Sequence, residues 1–538
     1  MVKTNDKTYL MLFALFSLWV GVGVFPLINF ETDSPCTLMG VQMMLNEGVQ
    51  LPSPMAYAYD MQPAVTYLLY GIAKLLWFWD VEQIYLLLCA LSTIVFVALS
   101  INLVHALTGL RKEWILLAFF FLPETAAIAT VPSTAIFAVL LLVAGLWFLN
   151  RSKYILAILL LGMAPLFRLD VLMVYPVVLL VLLHGGMAFG KSVWITVCSA
   201  AGVIVISYGG YRMLGADPLS IFGVWKSNAE SGAYASHVGA VVLVFYHIIN
   251  FILLPLGLVL LARRRQIVRM LLTLVPLLIV HYVMRNTGSA AKHYLYLLPF
   301  IVISTSTAIE WIYEKVRERK KLAVAAGVVL TLLMTVSVRM DDPERPWKNV
   351  PTADEKTTGP FVPFVKESWT KYGMEIGVGA GQMVPTADEM MTLGGHVFYP
   401  WFVHEYKKAQ DQRREETWNC LRKESSYTLI GFNWGASFYL QRRYLEQGYD
   451  YEDGGLCRLP SSVHYTLRKK ESVVEYLTVE TNEPDQIKEV IAQLREGNRG
   501  RKAYLLAMTE RSQWILDGFI AEGRVAKRTD NLYEVLSE

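Results

Sequence analysis

Long apolar runs separated by short basic clusters govern what this chain can become. Residues 8 to about 338 carry runs of roughly 17–25 mostly apolar residues, the length that crosses the hydrocarbon core of a bilayer. Candidate spans fall at 8–29, 63–79, 83–108, 114–130, 132–149, 154–167, 171–184, 192–211, 240–262, 267–284, 294–313 and 322–338. Basic clusters lie between several of them, at Arg111–Glu113, Asn150–Lys153, Arg263–Arg269 and Glu314–Lys321. The positive-inside rule assigns all four to the cytoplasm. Two lysines ahead of the first run, with no small-residue cleavage site, read as an uncleaved first span whose N-terminus is cytoplasmic. The turn 124–132, Phe167–Asp170, the loop 212–239, Arg285–His293 and the tail beyond the last span then fall outside.

One conflict of parity remains. Two full crossings at 63–79 and 83–108 would carry Arg111 to the outer side. Either 63–79 lies in the interface or re-enters, or one basic cluster breaks the rule. Lys74 and the aromatic triplet Trp77–Trp79 suit an interfacial anchor.

The tail differs in kind. From about residue 339 charges are frequent and apolar runs are short, and the Pro-rich, charged stretch from Met340 to Pro360 reads as a linker. "YTLIGFNW", "RKAYLLAM" and "NLYEVL" read as strands, whereas "EPDQIKEVIAQLREG" and "SQWILDGFIAEG" read as amphipathic helices. The expected architecture is mainly α. A polytopic transmembrane helical bundle of about 11–12 spans occupies 1–338, with a first external loop at 30–62. A linker follows at 339–360, then an extracytoplasmic soluble α/β domain at 361–538. A net charge of only +3 gives no reason to expect a nucleic acid partner. Of the five cysteines, Cys89 and Cys198 sit in apolar runs as packing residues, while Cys420 and Cys457 share the tail and can pair if it is outside the cytoplasm.

Charge at membrane depth is costly and is usually paired or functional. On this topology the outer face collects Asp33, Asp60, Glu124, Arg168, Asp170, Arg212, Lys226, Glu230, His237, Arg285, Lys292 and His293. Carboxylates that can act as bases together with cations that can hold a phosphate are what transfer from a lipid phosphate needs. Asp33 opens the stretch "DSPCTLMGVQMMLNEG", in which Ser34 caps a helix, Pro35 suits its first turn and Gly48 ends it. Its nearly all-round apolar surface suggests a helix lying on the membrane. Taken alone, Asp33 reads more readily as a carboxylate stabilising that helix start. Arg168 and Asp170 read also as a self-neutralising pair, Arg285, Lys292 and His293 as interfacial snorkelling cations, and Glu124 as a helix cap.

The order of these features resembles the GT-C superfamily of polytopic glycosyltransferases, in its aminoarabinose-transferase and protein-O-mannosyltransferase branches. There, too, an acidic residue follows the first span, a short surface helix comes next, and a proline-rich motif opens the following segment. Here Gln62-Pro63 stands where those relatives often have His-Pro-Pro. "PLFRLDVLMVYP" is similar to the superfamily's Arg-x-acid turn, and "KHYLYLLPFIV" to its late cationic Tyr-x-Leu-Pro segment. The resemblance covers roughly residues 8–338.

The resemblance implies an inverting glycosyltransferase that uses a polyprenyl-phosphate sugar donor. Asp33 would be the catalytic base. Arg168, Asp170, Lys292, His293, Arg285, Asp60 and Glu124 would bind substrate, and the acceptor would be a lipid, a glycan or a protein. No cofactor is required. Some members bind a divalent ion through the first-loop carboxylate, so Asp33 with Glu124 or Asp170 stays open as a metal site. The alternative is a transporter or flippase for a lipid-linked substrate, which should show internal repeats and broken helices at the bilayer midplane. Neither is visible. A non-catalytic assembly protein would have no reason to gather carboxylates and cations on one face.

Overall fold

The computed structural model describes residues 6–25, 33–48, 62–122, 125, 132–219, 252–287, 295–319, 321–322, 324–325, 327–329, 336–341, 361–369, 372–379, 399–431, 434–456, 462–479, 502–506, 516, 520 and 524–536. The helical part runs α1 (Asp6–Val24), α2 (Asp33–Glu47), α3 (Pro63–Leu75), α4 (Val81–Thr108), α5 (Lys112–Phe121), α6 (Ala135–Asn150) and α7 (Tyr154–Phe167). A 3-10 segment, Leu169–Val174, leads into α8 (Val177–His184) and α9 (Phe189–Met213). Helix α10 (Ile252–Arg263) and α11 (Ile267–Thr287) follow, and a second 3-10 segment, Leu295–Leu297, opens α12 (Leu298–Val316). Among the described residues, four helical stretches are long and apolar enough to cross a bilayer: Lys7–Val24, Val81–Thr108, Phe189–Met213 and Leu295–Val316. Shorter apolar helices pack among them, and one continuous apolar core runs through the bundle. Helix α9 turns Phe189, Trp194, Val205 and Met213 outward, the surface expected of a helix that faces lipid.

Helix α3 resolves the conflict of parity. Its 13 residues make a rod of about 20 Å, short of the roughly 30 Å of a hydrocarbon core. Its preceding residue Gln62 is bonded to α2, and the chain returns through exposed Trp77, Phe78 and Trp79 to start α4 on the same side. Helix α4, with 28 residues, then crosses and ends on a left-handed Gly109 (φ +71°) beside Arg111. The helix within the expected span 63–79 is therefore too short to cross by itself, and Arg111 lies at the opposite end of α4 from the soluble domain.

That domain has two sheets. Strands β1 (Val336–Asp341), β2 (Phe361–Trp369) and β3 (Tyr372–Gly379) form an antiparallel sheet in the order β1-β3-β2. The chain is thus extended from Val336, within the stretch expected as the last span. Helix α13 (Tyr399–Leu421), β4 (Ser426–Gly431), α14 (Trp434–Glu446), β5 (Asp450–Leu456), β6 (Ser462–Lys469), β7 (Ser472–Val479), β8 (Lys502–Leu506), β9 (Val525–Lys527) and β10 (Leu532–Val535) complete it. The larger sheet has the order β5-β6-β7-β4-β8-β10-β9, with β4 parallel to both β7 and β8. Alternate residues Tyr427 and Leu429, Val474 and Tyr476, and Tyr504 and Leu506 share a face and pack on Trp418, Leu421, Leu440 and Tyr444 of the two helices. The three strands expected from "YTLIGFNW", "RKAYLLAM" and "NLYEVL" are β4, β8 and β10, whereas the stretches expected as helices lie largely outside the described residues. Cys420 is a free thiol, and Cys457 lies outside the described residues.

The two parts are joined by buried charge. Glu82, in the first turn of α4, accepts from Arg414 Nη2 of α13 at 3.2 Å and from Arg442 Nη2 of α14 at 2.7 Å. All three side chains are sealed from solvent. Burial lowers both arginine pKa values, but Glu82 together with Tyr439 and Asp411 around Arg414, and with Glu446 and Asp80 around Arg442, outweighs it and both are raised. Asp80, which caps α4 by accepting from the Glu82 and Gln83 amides, lies 3.6 Å from Arg442 Nη1. The Arg414 guanidinium also sits 4.1 Å over the Tyr439 ring.

Inside the bundle, α10 and α12 approach at Gly257. Ser304 Oγ donates to the Leu254 carbonyl at 2.7 Å, and a Cβ added at Gly257 would overlap the Ser304 carbonyl. Gly257→Ala should therefore lower stability by about 1–3 kcal/mol, read as thermal unfolding in detergent. In an uncrowded helix the same change would raise stability by up to about 1 kcal/mol, so the sign of the shift checks the contact.

Candidate functional site

Three chain segments distant in sequence are fixed by buried side-chain contacts, the second and third of them directly to each other. The first is the start of α2. Asp33 is its first residue and Ser34 its second. Ser34 Oγ donates to the Pro132 carbonyl at 3.0 Å and lies 2.7 Å from Tyr85 Oη, which is then the donor of that pair. One turn further, Gln62 Nε2 donates to Thr37 Oγ1 at 2.5 Å, and Thr134 Oγ1 donates to Gln62 Oε1. Ser34, Thr37, Gln62, Thr134 and Tyr85 are all buried. The helix start is thus held by two side-chain bridges that reach α4 and the N-terminal ends of α3 and α6. Gly48 ends α2 at φ +92°, as its place after Glu47 leads one to expect.

The second segment is the turn after α7. Pro165 lies in the last turn of α7, and the Pro165 carbonyl accepts from Tyr211 Oη at 3.0 Å. Arg168 takes extended backbone and releases the chain into the 3-10 segment. Its Nε donates to both oxygens of Asp170 at 3.2 Å, and Nη2 donates to Oδ2 at 3.0 Å. Arg168 is 1% exposed and Asp170 4%, so this is a fully desolvated pair. Phe167 stacks on Phe137 in the first turn of α6, with centroids 6.0 Å apart, three residues from Thr134.

The third segment is the second 3-10 turn. Tyr296 Oη donates to Asp170 Oδ1, and Tyr296 is itself fully buried. The bond ties Leu295–Leu297 to Leu169–Val174, and α11 packs on both segments. Lys292 and His293 stand three and two positions before this turn in the sequence, and Arg285 lies two residues before the end of α11.

Of the residues singled out from sequence, Arg168 and Asp170 are brought together as an ion pair, and Asp33 and Arg285 are placed by their helices. Asp60, Glu124, Lys292 and His293 lie outside the described residues. Sequence reading missed Tyr85, Thr37, Thr134 and Tyr296, which hold the three segments together. It also took α2 for a helix lying on the membrane. Both its sides are covered instead, one by α3 and α4 and the other by α14, with Met39 and Met43 in the core of the soluble domain.

Among the described residues no three His, Cys, Asp or Glu side chains cluster to hold a divalent ion, and Arg168 engages both oxygens of Asp170. The described residues do not form a metal site, and no step is routed through one.

Removing one partner of a desolvated ion pair leaves the other charge buried. Arg168→Ala and Asp170→Ala should each cost about 3–5 kcal/mol of stability. The double variant should cost clearly less than the two losses added, and a thermal double-mutant cycle measures that coupling.

No family model matches the sequence, and no curated protein matches it. Solved structures do. Over 99% of this chain and 98% of the other, it is similar to the crystal structure of ArnT from Cupriavidus metallidurans in the apo state, with a TM-score of 0.52 and 11% identity. The structure of the same protein bound to undecaprenyl phosphate aligns over 98% of both chains, with a TM-score of 0.49 and 10% identity. From its first membrane helix to its C-terminal sheet, the chain is an integral membrane protein with the fold of ArnT.

Proposed function

We propose that this protein is a membrane glycosyltransferase that moves a sugar from a polyprenyl-phosphate donor to an acceptor hydroxyl at the outer membrane face. The observation that carries the proposal is the buried Arg168–Asp170 pair bound by the Tyr296 turn; the start of α2, which carries Asp33, is anchored separately through Ser34 and Thr37. The ArnT-like fold supports the same class of activity. The positive-inside rule supports the orientation: it keeps Arg111 and the other basic clusters in the cytoplasm and leaves the soluble domain outside.

In the proposed step, the acceptor oxygen attacks the anomeric carbon. The bond from that carbon to the phosphate oxygen breaks, and its electron pair leaves with the polyprenyl phosphate. The acceptor's proton passes to the Asp33 carboxylate. A carboxylate of ordinary basicity suffices when proton transfer is late and concerted, because the leaving phosphate is already stable as an anion.

The charge that develops on that phosphate is met by Lys292, His293 and Arg285, with Arg168 held in place by Asp170. Asp60 and Glu124 are assigned to the acceptor side, where carboxylates accept from sugar hydroxyls.

Asp33→Asn should keep the fold and lower turnover of an undecaprenyl-phosphate sugar by about 10²–10⁴-fold, the range of a lost general base. Near-normal turnover would remove Asp33 from its role. Lys292→Ala and His293→Ala should each weaken binding of undecaprenyl phosphate to the protein in nanodiscs by about 10–100-fold. Undecaprenol, which lacks the phosphate, should not compete. A reporter fused after Glu538 should be active only on the outer side, and cytoplasmic activity would reverse the topology.

A further inference from the structure

Helices α2, α4 and α14 form a closed triangle of specific contacts. α2 is bound to α4 through Ser34 and Tyr85, at 2.7 Å. α4 is bound to α14 through Glu82 and Arg442, at 2.7 Å, three residues before Tyr85 on the same helix. α14 is bound back to α2 where Asn46 Nδ2 donates to the Leu445 carbonyl at 2.7 Å. Met39 and Met43 reinforce this last edge, since they belong to the same buried cluster as Tyr439, Leu440 and Tyr444. Helix α14 therefore grips both the second half of α2 and the first turn of the helix that holds its start.

We propose that the soluble domain positions the catalytic carboxylate, with Glu82, Arg442 and Asn46 as positioning residues that set the place of Asp33 through α2. The proposal rests on the glycosyltransferase reading above and adds a task for the domain within it. None of the three residues belongs to the proposed binding or catalytic set. Arg442 acts from outside the bundle, and Asn46 lies near the far end of α2 from Asp33.

Two features favour a positioning role over simple attachment. A hydrophobic surface would join two modules at lower desolvation cost than a carboxylate between two arginines, but it would not fix a register. The register matters here because Asp33 sits at the start of α2, where any slide or rotation of the helix is transmitted to it. A carboxylate misplaced by about 1 Å can lose about 100-fold in rate.

The test uses the full chain in nanodiscs. Glu82→Gln removes the central charge, and Asn46→Ala is the milder variant if the first does not fold. Three readings are taken: deuterium exchange of residues 33–38, affinity for undecaprenyl phosphate alone, and kcat with an undecaprenyl-phosphate sugar that the intact protein turns over.

Exchange at 33–38 should rise about tenfold, with exchange in α6 unchanged. The same variants should lower kcat by about 10–100-fold while affinity for undecaprenyl phosphate changes by less than about threefold. Glu82→Asp should recover part of the lost kcat. Unchanged exchange, or raised exchange with unchanged kcat, overturns the positioning role. A parallel loss of affinity and kcat overturns it too, since that is the mark of general destabilisation. If the intact protein neither binds undecaprenyl phosphate nor turns over its sugars, the glycosyltransferase reading itself fails, and the positioning role with it.

Discussion

One carboxylate held between two arginines organises this molecule. Glu82 is the second residue of a long membrane helix, and Arg414 and Arg442 come from two helices of the soluble domain. Water is excluded from all three. Such an arrangement is costly to form and weak evidence for stability as such, because apolar residues of the same volume would often do as well. It does impose geometry. The first turn of α4 has to sit against the soluble domain, so the short α3 before it cannot cross the bilayer. Everything downstream inherits that choice of side, including which loops lie near the soluble domain.

The same constraint explains an unusual helix. An amphipathic surface helix shows one apolar stripe, whereas α2 is apolar on nearly every side. Lying on a membrane is one way to satisfy such a surface, and burial between two folded layers is another. The second holds here. Leu38 and Val41 belong to the core of the bundle, whereas Met39 and Met43 belong to the core of the soluble domain. Unbranched methionines suit that place, since their flexible side chains fill an irregular gap between two independently packed surfaces.

Much of the fold was legible because its causes are local. Apolar run length marked the long helices Lys7–Val24, Val81–Thr108, Phe189–Met213 and Leu295–Val316, and the parity conflict singled out 63–79 as a run that need not cross. β4, β8 and β10 announced themselves by short apolar runs. Arg168 and Asp170 stand two residues apart at the end of an apolar helix, so their pairing could be foreseen as well. What could not be read is held by contacts across long stretches of chain. Tyr296 reaches Asp170 over 126 residues, Thr134 reaches Gln62 over 72, and Arg414 reaches Glu82 over 332. No period or spacing encodes such partners. Glu82 is a plain example: from sequence it is an acidic residue in the first turn of a helix, and only the fold brings two arginines to it.

The Arg168–Asp170 pair bears on how a lipid phosphate would be met. An arginine bound through two nitrogens to its own carboxylate is close to neutral as a unit, so on the proposed reading it would add little net charge toward a phosphate. Tyr296 strengthens that neutrality by donating to the same carboxylate. On the proposed reading, the positive charge that balances a departing phosphate would come from other residues, and Lys292 and His293 stand three and two positions before the turn that carries Tyr296. The pair would then set direction and the cations would supply the field. This division also favours turnover, because a clamp made wholly of desolvated cations would hold the product phosphate as tightly as the transition state and slow its release.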